Sequence, residues 1–380
     1  MNTGRPLDQS ALDPIQGVLE VLRRAPKTGT NKLGLLLVLL DLVPTLSRDD
    51  LRISKSVLAA HYLNIHWEHG RPYGDEPLRQ SYVNKKHRDG KSTTDTIAML
   101  QIHSLREVLQ EIGRQIEDEK LHDQPLEVID LRLSNCGELG DVWRRRKGQA
   151  VKLIGDALWK NPVPRLQELD RHHVEFLYSK HGSSIELFPD AAEQLTRFSG
   201  VLRSLIELKF SELVARINSL SAIEFDIHSH LFGRERSMPS IKMRRGLIEL
   251  QGGKCVLSDE PISVSSGSLD HVIPWSRTRL SHIENFVVTT RRVNSSKSDS
   301  LLGPELVDKW LNHVRENSQD IQALANEHHW LSGFEHVRHV ALNIYRVLDA
   351  SVGVWKGRNI GVQPLEYDGK VHILQNLEKD

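Results

Sequence analysis

The residues whose types and spacing could do chemistry lie together in the C-terminal third of the chain. Asp270 and His271 are adjacent, Asn285 follows after thirteen intervening residues, Asn294 after eight more, and Lys297 one helical turn later. A neutral histidine can accept a proton from water near pH 7, because its unperturbed pKa is about 6.5. Asp270 and Asn294 carry carboxylate and amide oxygens, the ligands that a hard cation such as Mg²⁺ prefers. An activated water beside such a cation suits the hydrolysis of a phosphodiester.

The sequence around these residues predicts two strands and a helix. Residues 268–273 read as a short strand that ends at a proline, and the β-branched segment 285–290 reads as a second strand. The segment 291–302 predicts the helix that follows. Because neighbours on a regular strand face opposite ways, Asp270 and His271 can share one site only if the strand ends or twists there.

The order D-H … N … N-x-x-K-S-D within residues 254–300 resembles the HNH endonucleases, also called ββα-metal or His-Me finger nucleases. It is similar to the HNH domain of the RNA-guided CRISPR nucleases, in which the third letter is likewise Asn. Each residue alone would be an ordinary surface, core or turn residue. The resemblance therefore depends on their order and spacing together.

The resemblance implies a role for each of these residues. Asp270 and Asn294 would bind Mg²⁺ or Mn²⁺, His271 would be the general base, and Asn285 would hold the loop that orients His271. The catalytic set implied is thus His271, Asn285 and Asn294. The expected activity is metal-dependent cleavage of DNA, one strand per site, leaving 5′-phosphate and 3′-hydroxyl ends. Two alternatives stay open: an RNA substrate, or a catalytically inactive module that binds nucleic acid or a partner.

Many HNH proteins also carry two CxxC pairs that hold a structural zinc ion. Here the first pair is reduced to Cys255-Val-Leu-Ser258, and no cysteine follows Asn285. A Cys₄ zinc site is not possible in one chain with two cysteines, so structural zinc is not expected. Packing by flanking helices is expected to replace it.

Several cationic side chains are candidates for contact with a nucleic-acid backbone. They are Arg144, Arg145, Arg146, Arg244, Arg245 and Lys297. The run at 144–146 could be a backbone-binding edge or a solvated helix face. Lys297 could touch a phosphate or be a solvated helix lysine. A further basic segment, 85–91, could contact phosphate or form a solvated loop.

Composition sets wide bounds on the function. The 380 residues are enough for two or three domains, and the 50 basic residues balance the 50 acidic ones, so bulk charge neither favours nor excludes nucleic acid. Two cysteines suit a reducing cytoplasm, and neither a signal peptide nor a membrane-spanning run is visible. We therefore expect a cytoplasmic protein without a membrane partner.

The whole pattern predicts a mostly α, α+β protein with a C-terminal nuclease module. The predicted parts are a helical, winged-helix-like or plain bundle domain at 1–135, a helical middle region at 136–232, the HNH module at 233–315 and a helical cap at 316–380. Residues 128–133 alternate like a strand and would form the wing. The layout resembles stand-alone nucleases of restriction and anti-phage defence systems such as Zorya, which implies other subunits as partners.

Overall fold

The computed structural model describes residues 12–24, 28–82, 85–86, 92–93, 96–169, 172–220, 225–233, 239–349 and 351–379. They fall into two units. The first is drawn from the ranges 1–124 and 136–234, and the second from 125–135 and 235–380. Most of the basic segment at 85–91 lies outside the described residues.

Helices dominate both units, and the sheets are small and antiparallel. The helices are α1 (Pro14–Arg23), α2 (Asn31–Leu42), α3 (Lys55–Trp67), α4 (Ile97–Gln115), α5 (Leu126–Leu133), α6 (Gly137–Lys160), α7 (Pro189–Arg197), α8 (Ser199–Ile217), α9 (Phe225–Phe232), α10 (Ile241–Leu250), α11 (Arg291–Lys297), α12 (Pro304–Glu316), α13 (Ser318–Glu327), α14 (Phe334–Val347) and α15 (Tyr367–Glu378). None of these helices, within the described ranges, combines the length and hydrophobicity that crossing a bilayer requires.

The strands pair locally. They are β1 (Arg52–Ser54), β2 (Pro72–Tyr73), β3 (Glu76–Pro77), β4 (Lys85–Lys86), β5 (Ser92–Thr93), β6 (Glu168–Leu169), β7 (His172–His173), β8 (Tyr178–His181), β9 (Ser184–Leu187), β10 (Gly267–His271), β11 (Phe286–Thr290), β12 (Gly353–Trp355) and β13 (Val362–Pro364). The order β1-β9-β8 forms a three-stranded sheet, and the other described strands form two-stranded hairpins.

The first unit is built around α2, whose residues from Leu33 to Leu42 are all buried. A helix that is apolar on every side predicts such burial, and α2 packs on α3 and α8. Helix α6 packs on α3 and α4, and β1 pairs with β9. The predicted division at residue 135 is therefore not visible in this unit, because elements from before and after that position share one core.

The predicted strand at 128–133 is wrong. The segment 128–133 is part of helix α5, and its buried residues Leu126, Ile129 and Leu133 follow the helical spacing of three and four. The predicted wing is therefore absent from this segment.

The second unit surrounds the β10–β11 hairpin and α11 with helices α10 and α12 to α15. Trp310 and Trp355 are completely buried in its core. The hydroxyl of Tyr345 donates to the carbonyl of Leu302 at 2.7 Å, and Trp355 pairs with Leu302 across a parallel bridge. The segments predicted as a nuclease module (233–315) and as a cap (316–380) thus contribute residues to one core.

Candidate active site

A strand–strand–helix unit carries most of the chemically interesting residues. Strands β10 and β11 are antiparallel, and Asp270 lies opposite Val287. The chain passes directly from β11 into α11, where the Thr290 side chain caps the helix by accepting from the Val293 N–H at 3.3 Å. The two strands and the helix predicted from the sequence are all present.

One face of β10 meets one face of α11. Ser268 and Asp270 are two residues apart on the strand and therefore point to the same side. The side-chain amide of Asn294 donates to the Ser268 hydroxyl at 2.8 Å. Lys297, one turn further along α11, reaches Asp270. The fold thus brings Asp270, Asn294 and Lys297 together on one surface between the strand and the helix.

Lys297 is an internal side chain with no solvent exposure. Its Nζ lies 3.2 Å from Oδ2 of Asp270 and donates to Oδ1 at 3.4 Å and to the His271 carbonyl at 2.7 Å. Burial raises the pKa of Asp270 and lowers that of Lys297, and each partner's charge opposes the shift of the other. The predicted contact between Lys297 and nucleic acid is wrong, because its ammonium is buried and is bound by Asp270 and by the His271 carbonyl.

His271 is the last residue of β10. Its backbone N–H donates to Oδ1 of Asp270 at 2.8 Å, and its carbonyl accepts from Lys297. The imidazole is half-buried, with its centroid 4.7 Å from that of Phe286 and 5.3 Å from that of Trp275. The main chain of His271 is therefore held by Asp270 and Lys297, the two residues that form the ion pair, and β10 ends at this residue.

Asn285 is completely buried and closes the loop between the two strands. Its Oδ1 accepts from the Ile273 N–H at 2.8 Å, and its Nδ2 donates to the carbonyls of Ile273 and Leu280 at 3.1 and 3.0 Å. Its own carbonyl accepts from the Val272 N–H at 2.8 Å. These bonds fix the chain immediately after His271.

Comparisons with protein-family models, curated proteins and solved structures gave no match. The groups of the site are a half-buried imidazole at the end of β10, a buried carboxylate paired with an ammonium, and a helix asparagine bonded to Ser268 of the same strand.

Asp270 and Asn294 both keep an oxygen that could bind a cation. Oδ2 of Asp270 is buried and makes no hydrogen bond within the described residues, although the Lys297 ammonium lies 3.2 Å away as an ion pair. Asn294 donates from Nδ2, which leaves its Oδ1 as the acceptor. No cluster of three or more His, Cys, Asp or Glu side chains suited to a metal occurs in the described ranges. A Mg²⁺ ion here would need water and phosphate oxygens to complete its shell, as Mg²⁺ usually does.

Glu284 supports the site and was missed in the sequence. Its side chain is buried and accepts from the Ser332 hydroxyl at 2.6 Å and the Gly333 N–H at 2.9 Å. Its carbonyl accepts from the indole of Trp310 at 2.8 Å. These contacts anchor the short helical turn that presents Asn285. A glutamate beside a buried asparagine is the only signal that the sequence offers for this role.

Gln251 supports β11 in a similar way. Its side-chain amide accepts from the Val288 N–H at 2.7 Å and donates to the Val288 carbonyl at 2.8 Å, as a neighbouring strand would. Glu260 accepts from the Thr290 hydroxyl at 3.1 Å and from Arg358 at 3.3 Å. Both contacts join residues far apart in sequence, so spacing alone does not reveal them.

The candidate arginines lie in two different units. Arg245 is exposed and Arg244 half-buried on α10, which packs on β11 and α13. Arg144, Arg145 and Arg146 are exposed on α6 of the first unit, where Arg144 forms an ion pair with Asp141. The candidate arginines therefore form two groups, one in each unit.

Cys255 is a core residue with no solvent exposure. Its carbonyl accepts from the Asp259 N–H at 2.8 Å, and its N–H donates to the Glu260 carbonyl at 2.8 Å. The turn at Cys255 is thus held by backbone hydrogen bonds and by apolar packing around the thiol.

Proposed function

We propose that the second unit is a metal-dependent HNH-type endonuclease that hydrolyses DNA phosphodiester bonds, one strand per site. The observation that carries the proposal is the meeting of α11 and β10. Through it, Asn294 and Lys297 contact Ser268 and Asp270, so that a carboxylate and an amide oxygen lie on one surface. The same strand ends in a histidine whose main chain is bonded to that carboxylate.

His271 would accept the proton from the attacking water. The water oxygen would bond to phosphorus as the bond to the 3′ oxygen breaks, and the 3′ oxygen would take a proton from solvent water, so that a 5′-phosphate and a 3′-hydroxyl remain. Asp270 and Asn294 would hold Mg²⁺ or Mn²⁺, which supplies Lewis-acid stabilisation of the charge that develops on the phosphate. Lys297 and Asn285 would act as positioning residues, because they fix the backbone on either side of the His271 ring.

Arg244 and Arg245 would supply electrostatic attraction for the DNA backbone beside this site, and Arg144 to Arg146 would do so in the first unit. Other subunits of an anti-phage system would be the partners that the resemblance implies. A cytoplasmic setting belongs to the same proposal.

Nicking of supercoiled plasmid tests the proposal directly. With Mg²⁺, wild type should convert supercoiled to open-circular DNA, and EDTA should stop the reaction. His271→Ala should lower the rate by about 10²- to 10⁴-fold, the usual contribution of a general base. A matched variant, His372→Ala on α15, removes an imidazole that pairs with Asp308 and should leave the rate unchanged.

Full cleavage by His271→Ala, or cleavage that persists in EDTA, would contradict the assignment. Labelled single-stranded RNA and DNA, assayed in parallel, would identify the substrate. If both stay intact while the protein still binds them, the module is a binding module rather than an enzyme.

A further inference from the structure

A polar cleft in the first unit has no part in the proposed nuclease chemistry. It has a volume of about 470 Å³ and lies where α1 ends, α2 begins and α6 ends. Sites for small molecules usually have volumes of about 300 to 1,000 Å³. Its lining includes the cations Arg24, Lys32 and Arg165, the carboxylate Glu168 and the apolar Val21 and Leu169.

The cations of this cleft outnumber its carboxylate by three to one. Arg24 forms an ion pair with Glu20. Within the described residues, neither the side chain of Lys32 nor that of Arg165 forms an ion pair or a hydrogen bond. Burial lowers the pKa of Lys32, and the nearby Arg165 lowers it further, whereas Glu168 raises it. An anion in the cleft would relieve this crowding of positive charge.

The start of α2 adds to the positive potential. Thr30 precedes the helix without a side-chain capping bond, and its hydroxyl donates to the side-chain oxygen of Gln80 at 3.0 Å. The first N–H groups of a helix have no acceptor within the helix and carry the positive end of its dipole. Asn31 and Lys32, the first two residues of α2, both line the cleft. Phosphate groups favour such a helix start.

We infer that this cleft binds a small phosphate monoester such as a nucleoside monophosphate. Lys32, Arg165 and the start of α2 would hold the phosphate. The remaining volume beside Val21 and Leu169 has room for an apolar or aromatic group. The inference concerns only the first unit and is independent of any cleavage by the second.

Calorimetric titration of the full-length protein without divalent metal tests the inference. The probes are inorganic phosphate, AMP and a 5′-phosphorylated oligonucleotide. AMP should bind, with an affinity that falls as salt rises. Lys32→Gln and Arg165→Gln should each weaken binding roughly tenfold, the effect of losing a hydrogen bond to a charged group.

Glu168→Gln should strengthen AMP binding, and a gain of this kind cannot arise from misfolding. The matched control is Glu138→Gln, at the opposite end of α6. At 1.5 Å per helical residue, Glu138 lies about 35 Å from Asn161 in the cleft. This control should leave the affinity unchanged. No AMP binding at millimolar concentration, or equal effects of Glu168→Gln and Glu138→Gln, would overturn the inference. Tighter binding of the oligonucleotide than of AMP, lost with Lys32→Gln, would also overturn it.

Discussion

Lys297 pairs with a buried carboxylate, that of Asp270, at the centre of the candidate site. Its side chain has no exposure and that of Asp270 is 10% exposed, so each ion has lost most of its hydration. Such a loss costs several kcal/mol per ion, which the partner's charge only partly offsets. Burial shifts the pKa values of both groups toward their neutral forms. A cation that binds Asp270 would therefore share the carboxylate with the ammonium.

Removing either ion alone should destabilise the protein. Asp270→Asn or Lys297→Met should each lower the free energy of unfolding by about 3 to 5 kcal/mol, because the remaining charge stays buried without a partner. The double variant should lose much less unfolding free energy than the sum of the two single losses. Urea denaturation in EDTA would measure all three.

The exposed pair Lys309–Asp259 provides the control for this cycle. The same replacements there should show a coupling of at most about 1 kcal/mol, as is usual for a solvated ion pair. Additive losses at Asp270 and Lys297 would show that the two charges do not stabilise each other.

At the scale of elements, the loop between β10 and β11 is held by the segment that joins α13 to α14. Trp330 donates from its indole to the Ser281 carbonyl at 2.7 Å, and the Ile283 N–H donates to the Leu331 carbonyl at 2.9 Å. His282 lies in this contact, with its ring centroid 4.9 Å from that of His336. Burial, together with His336, lowers the pKa of His282 to about 4.

This pKa predicts a loss of stability in acid. Because the folded pKa lies below the usual 6.5, the unfolded chain takes up a proton first as pH falls, and the unfolding free energy declines between about pH 6.5 and 4. The loss should be about 1 to 3 kcal/mol, allowing for partial exposure of the ring. Urea midpoints of wild type and His282→Gln, measured from pH 7 to 4.5, would show it. Parallel curves for the two proteins would assign the acid sensitivity to other groups.

The strand–strand–helix unit could be predicted because local residues decide it. Val287 and Val288 favour a strand, the strand ends near Pro274, and α11 starts directly after a capping threonine. The helix at 128–133 could not be predicted, because the apolar residues of this segment fit a strand and a helix equally. Tertiary packing selects the helix. The burial of Lys297 was missed for a related reason. It depends on α11 lying against β10, which no local pattern specifies.

A β-hairpin also stabilises α11 in the second unit. Trp355 donates from its indole to the Ser296 hydroxyl of α11 at 3.1 Å, and its N–H donates to the Leu301 carbonyl at 2.8 Å. Arg358, in the same hairpin, donates a hydrogen bond to Glu260, which lies next to the turn at Cys255. The hairpin β12–β13 thus joins α11 to the turn at Cys255. The sequence predicts packing by flanking helices, and the β12–β13 hairpin adds to that packing.

At the scale of the whole molecule, the proposed binding of DNA by a formally neutral chain would depend on local groups of charge. Each arginine that contacts a phosphate releases counterions, and log K then falls with log salt by about 0.9 per contact. Arg144 to Arg146 and Arg244 with Arg245 lie in different units. The dependence of affinity on salt can therefore show which unit contacts the duplex.

We expect both groups to contribute to that dependence. In a His271→Ala background with EDTA, replacing Arg244 and Arg245 by Gln should reduce the slope by up to about 1.8, and replacing Arg144 to Arg146 by up to about 2.7. Arg114→Gln on α4, whose guanidinium is exposed and pairs with Glu111, is the control and should leave the slope unchanged. Fluorescence anisotropy of a labelled duplex across a salt series would measure each value. A slope altered by only one group would assign DNA contact to one unit, and a slope altered by neither would place the contact on other cations.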